Sequence, residues 1–202
     1  DSELIGALSG SGSVTIDADQ MLYVGGNDAD SQFNGVIAGA GGLSQYGAGT
    51  LTLSGANTYT GDTRVDFGTL RLGASGVIAD ASTLFVASGA TLALLGHDET
   101  VAIAVLNGTV NGAGFRPSAP LTLPALADGK GGDGRSSLPA AVPAGTGMLT
   151  AAEYQLNGAT INANLGTGDL FNTGGVSTLN GTAAAGLVSV QAGTLRLGAS
   201  DR

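Results

Sequence analysis

The octet "GTLRLGAS" stands at 68–75 and again, letter for letter, at 193–200. It belongs to a wider pattern in which Gly and Thr precede two Leu at alternate positions: Gly49 to Leu53, Gly68 to Leu72, Gly89 to Leu94 with Ala90 inserted, and Gly193 to Leu197. The first Leu of three copies, Leu51, Leu70 and Leu92, recurs about every 20 residues, a period that signals a solenoid. Each unit alternates apolar and polar positions and closes on Gly, Asn or Ser, as a strand with one buried face does. A single unit cannot close a core, because each strand has only one apolar face. Coils laid on one another solve this, lining up Leu51, Leu70 and Leu92 as one internal row and giving every strand neighbours at roughly 4.8 Å above and below.

Composition supports the same geometry. Gly supplies 36 of 202 residues, yet Val, Ile and Leu recur in short alternating runs throughout, which a disordered chain lacks. The Gly therefore reads as turns, since the corners of a coil need φ values that a Cβ forbids and leave little room for side chains. Asn-Gly pairs at Asn34, Asn107, Asn111, Asn157 and Asn180 add turns that tolerate positive φ. No window shows capped helical spacing. A β-sandwich also uses many short strands, but its strands need not share a sequence unit, so the repeat favours an all-β parallel solenoid. One segment breaks the pattern: all five prolines, from Pro117 to Pro143, surround "DGKGGDGR" at 128–135. Proline lacks the N–H that an internal rung donates. Residues 115–147 thus read as one long Pro/Gly-rich inserted loop, serving either as a plain excursion or as a contact or cleavage site.

Charge and motifs narrow the function. A formal net charge of −9 leaves no basic face to neutralise phosphates, which argues against nucleic acid and against anionic membrane surfaces. The longest apolar run, Val101 to Leu106, is far short of the roughly 20 residues of a spanning helix. The absence of Cys removes disulfides and thiolate chemistry, and fits a cytosolic chain or one exported unfolded. No secretory signal opens at Asp1, so any such signal is expected outside this fragment. The acidic pairs Asp17 with Asp19, Asp28 with Asp30, and Asp98 with Glu99 are what a glycan-cleaving β-helix enzyme or a calcium site would need, but their contexts read as solvated turns. His97 follows a strand as a turn histidine, and "DGKGGDGR" lacks Walker spacing. No catalytic, metal or cofactor site is expected, and the chain is expected not to be an enzyme. Arg71 and Arg196 fall between two inward Leu and should point outward, their stems on the coil surface. Asn57 should bond to backbone in a turn, with Tyr59 shielding the corner. The residues best suited to a surface ligand are Tyr59, Arg71, Lys130 and Arg135.

The stretches "GVIAGAGGL" (35–43), "GAGTLTLSGANTYTG" (47–61) and "GTLRL" (68–72) resemble the autotransporter-associated β-strand repeat of Gram-negative surface proteins. Residues 31–75 form the first such unit. Residues 154–200 look like a second, diverged unit, with "STLNGT" where "LTLSGANTYTG" stood, so the whole of 1–202 reads as one segment of a larger passenger. The resemblance implies a right-handed parallel β-helix, exported and held at the cell surface by a C-terminal outer-membrane β-barrel expected beyond Arg202. It also implies a stem-like scaffold that assists folding during export, or an adhesin for host or bacterial surface glycans or proteins. A chain free of disulfides stays threadable, and nearest-neighbour stacking lets each emerging coil fold on the last. Bare coil ends would favour self-association.

Overall fold

The computed structural model describes residues 2–112 and 147–198, all of them strands and turns without a helix. The expected insertion at 115–147 falls outside the described residues except for its last position, as do Lys130 and Arg135.

Every strand pairing is parallel, as stacking of successive coils requires. One sheet stacks, in chain order, Glu3–Ile5, Met21–Val24, Gly42–Gln45, Thr63–Val65, Thr83–Val86, Glu99–Leu106, Met148–Asn157, Asp169–Gly174 and Val188–Val190. A second stacks Ser31–Phe33, Thr50–Leu53, Thr69–Leu72, Thr91–Ala93, Thr109–Asn111, Thr160–Asn162, Val176–Leu179 and Thr194–Leu197. A short third sheet pairs Ser13–Ile16 with Val36–Gly39. This is a parallel β-solenoid.

The predicted Leu row is present and longer than expected. Leu51, Leu70, Leu92, Val110, Ile161, Leu179 and Leu197 follow one another in register down the second sheet. From Leu51 to Leu179 they are buried in one continuous core. Each fully buried Leu contributes about 1.5–3 kcal/mol against exposure, so the row is a main source of cohesion between coils. Beside it, Thr50, Thr69, Thr91, Thr109, Thr160 and Thr178 make a second register row, half-buried, where β-branched side chains suit the pleated surface. Asn111, Asn162 and Asn180 form a short amide ladder, with Asn162 Nδ2 donating to Asn111 Oδ1 at 2.8 Å and Asn180 Nδ2 to Asn162 Oδ1 at 2.7 Å.

The glycines act differently from the expectation at most of the Asn-Gly pairs. Only Gly158 among those five glycines adopts positive φ. At Gly35 and Gly181 the constraint is approach between coils, because a Cβ at Gly181 would fall on the carbonyl oxygen of Ala163 in the coil before it, and one at Gly35 on that of Gly12. Gly55 stacks on Gly35 for the same reason. Corners therefore exclude side chains mainly by proximity.

At another corner a polar chain runs across four coils. Asn57 Oδ1 accepts the Ile37 N–H at 2.8 Å, Asn57 Nδ2 donates to the Val77 carbonyl at 2.6 Å, and Glu99 Oε2 accepts the Val77 and Ile78 N–H groups at 3.0 and 3.2 Å. Past this point the corner straightens, since Glu99 opens an eight-residue strand and pairs with Leu149 of the ten-residue strand above it.

Candidate functional site

On the second sheet, alternation turns Gln32, Thr52 and Arg71 outward in one register column. Around them, Asp30 Oδ1 accepts the Thr50 N–H at 2.7 Å and Gln32 Nε2 donates to Asn34 Oδ1 at 2.9 Å. With Ser9 and Ser31 these residues line an open polar depression. The exposed Arg71 guanidinium has no hydrogen bond or ion pair among the described residues, where the one ion pair is Arg64 with Asp66 at 3.3 Å. The site thus offers free guanidinium donors next to a carboxylate, amides and hydroxyls, a set suited to hydrogen-bonding a polar ligand.

The other sequence candidates go elsewhere. Tyr59 is a correction: its ring is fully buried and cannot meet a surface ligand. Its hydroxyl bonds Thr63 Oγ1, which in turn bonds Ser82 Oγ at 2.8 Å, and burial, chiefly, pushes the phenol well above its ordinary pKa. Burial alternates from Asn57 to Thr60, carrying Tyr59 inward together with Asn57, which bonds to backbone as expected but in the coils before and after its own. Arg196 is exposed, as is Arg71.

The acidic pairs divide in their roles. Asp28 Oδ1 and Asp30 Oδ1 accept the Ala48 and Thr50 N–H groups of the next coil, and Asp28 and Asp19 both hold positive φ in turns. Asp98 Oδ1 accepts the Met148 N–H at 3.0 Å. It ties the chain after the undescribed segment to the coil before it. Glu99 overturns the solvated-turn reading, being only 1% exposed. Burial pushes its carboxyl up to about 7 from 4.5, against the opposing effect of N–H donors from Ile78, Val77 and Thr100, and Asp80 adds repulsion. The signal was in the sequence, because Glu99 is in phase with the inward Val101 in "ETVAIAVL". His97 is half-buried in its turn, its N–H bonded to the Leu94 carbonyl. Among the described residues, no three His, Cys, Asp or Glu side chains gather as a metal ion would need. Sequence reasoning also passed over Tyr23, in the Met21–Val24 strand, and Tyr46 and Phe67, just past the ends of the Gly42–Gln45 and Thr63–Val65 strands, whose rings the stacked coils bring together.

Stacked, in-register parallel coils sharing one Leu row define a repeat-built β-solenoid. The family profile described as passenger-associated-transport-repeat matches residues 43–72. These residues run from the Gly42–Gln45 strand to the end of Thr69–Leu72, two successive strands of each of the two long sheets. The chain is also 41% identical over 92 residues to the adhesin BmaC autotransporter of Brucella suis biovar 1 (strain 1330), covering 45% of this chain and 3% of that protein. No solved structure matches. The chain thus carries a passenger-associated-transport-repeat and is similar in part to an autotransporter adhesin, a likeness that implies display at the outer surface of a Gram-negative cell.

Proposed function

We propose that this segment is a non-catalytic stem of its passenger, extending the displayed protein and supporting adhesion, with each coil acting as the folding template for the next during export. The observation that carries this reading is the register row from Leu51 to Leu197. A coil emerging at the cell surface gains both strand hydrogen bonds and a Leu contact from the coil already folded, so stacking draws the chain outward. The partner that anchors it is the parent protein's own C-terminal outer-membrane β-barrel. In both the 31–75 and 154–200 units the octet pairs alike with the coil before it: Thr52 faces Arg71 and Leu53 faces Leu72, as Thr178 faces Arg196 and Leu179 faces Leu197. Arg71 and its polar depression provide a contact for a host or bacterial surface group, and Lys130 and Arg135 extend the same proposal to the inserted segment.

Deletion of 154–202 from the parent protein tests the folding role. The expected result is lost surface display and lost protease resistance of the passenger. Unchanged display and resistance would contradict it.

A further inference from the structure

We propose that Tyr23, Tyr46 and Phe67 form a platform for a neutral oligosaccharide chain, a proposal that rests on the adhesive reading above and supplies its ligand class. The chain is sparing with aromatics, at 4% of residues, and Phe33, Tyr59 and Tyr154 are spent inside the core. Tyr23, Tyr46 and Phe67 instead run along the outside of three successive coils. Tyr46 is 44% and Phe67 56% exposed. Their ring centroids are 5.6 Å apart from Tyr23 to Tyr46 and 5.7 Å from Tyr46 to Phe67, each pair edge to face. Each ring braces the next, so the platform is ordered before a ligand arrives and little freedom is lost on binding.

The groups beside the rings set the chemistry of the occupant. Asp66 next to Phe67 accepts the Ser44 hydroxyl at 2.7 Å through Oδ2 and pairs with Arg64 through Oδ1 at 3.3 Å, while Arg64 lies 4.9 Å over the Phe85 ring. The Asp66 carboxylate, held by the buried Ser44 hydroxyl, and the tyrosine O–H groups thus border apolar ring surface. A pyranose needs this combination, because it has an apolar C–H face and a rim of hydroxyl groups. Arg64 is already paired with Asp66, and the net charge of −9 repels acidic polymers, which disfavours an acidic chain at this strip. Area argues against a folded protein partner: three partly covered rings of about 150–250 Å² each fall short of the roughly 800 Å² that a stable interface takes from one partner. A narrow row of rings suits a linear chain.

The test titrates the 202-residue chain with cellohexaose, maltohexaose and chitohexaose, and with polygalacturonate as the acidic counterpart, following ring resonances by NMR. At least one neutral hexasaccharide is expected to bind with Kd of millimolar or below and to shift Tyr23, Tyr46 and Phe67. The double variant Tyr46→Leu/Phe67→Leu keeps apolar bulk over the coils while removing the ring faces, and is expected to weaken binding about tenfold or more. Arg196→Ala, at an exposed position away from the rings, is expected to leave it unchanged. Absence of binding by every neutral hexasaccharide, preference for polygalacturonate, or undiminished binding in the correctly folded Leu variant would each overturn the proposal. Adhesion assays on cells displaying the parent protein separate the two readings. Adhesion abolished by protease treatment of the target surface but not by periodate leaves the adhesive role standing and sinks the saccharide. Saccharide binding without adhesion does the reverse.

Discussion

The same eight letters occupy two environments. In the first copy Leu70 and Leu72 lie between coils on both sides, with Leu70 1% exposed. In the second copy Leu197 pairs with Leu179 on one side, has no partner strand on the other among the described residues, and is 45% exposed. The local pairing is the same, since Arg71 faces Thr52 and Arg196 faces Thr178. Yet the second copy lies two residues along the stack, so Leu197, not Leu195, continues the row of Leu70. An even shift keeps the inward face inward, which is why it is tolerated. Sequence thus fixes which side faces in, while neighbours decide how much that side contributes.

Substitution within the octets sharpens the contrast most. Leu70→Ala should lower stability in urea unfolding by about 2–5 kcal/mol, as a cavity in a packed core does, and Leu197→Ala by about 1 kcal/mol or less. Equal losses would break the comparison.

The next effect singles out the interior through pH. Glu99 holds a folded pKa of about 7 against 4.5 unfolded. Between those values the native state binds more protons than the unfolded one. Its contribution is therefore fully present below about pH 4.5 and is lost as pH rises through 7, on the order of 3 kcal/mol in all. Thermal melts of Glu99→Gln against the parent chain should show that the excess fall in Tm between pH 5 and pH 8 belongs to the parent alone.

A smaller effect is expected in the amide ladder. Asn162→Ala removes both ladder bonds and should cost about 1–2 kcal/mol in the same unfolding experiment. Smallest of all, Arg71→Ala and Arg196→Ala should both stay within about 0.5 kcal/mol, since both side chains are exposed and the ligand contact proposed for Arg71 is not a folding contact.

The strand alternation and the Leu row were legible because a period near 20 and a side-chain period of two leave few ways to hide Leu51, Leu70 and Leu92. What escaped reading was set by the third dimension. Tyr59 looked like a corner shield from its turn-like neighbours, and only the coils on either side bury it. Glu99 looked like half of an acidic pair until its phase with Val101 placed it under Leu149. Gly35 and Gly181 looked like positive-φ turn residues, whereas the carbonyl that excludes their side chains belongs to the previous coil. Tyr23, Tyr46 and Phe67 are spaced by unequal turns, so their alignment emerges only once the coils are stacked.

Engineered cross-links test the stack most directly, since the natural chain has no cysteine. In-register neighbours on parallel strands sit roughly 4.8 Å apart, within the span a disulfide bridges. The double variants Thr52→Cys/Arg71→Cys and Thr178→Cys/Arg196→Cys should both oxidise readily within one chain, and Thr52→Cys/Ala93→Cys, two coils apart, should not. Cross-linking of the two-coil pair, or failure of the Thr52 and Arg71 pair, would contradict the solenoid.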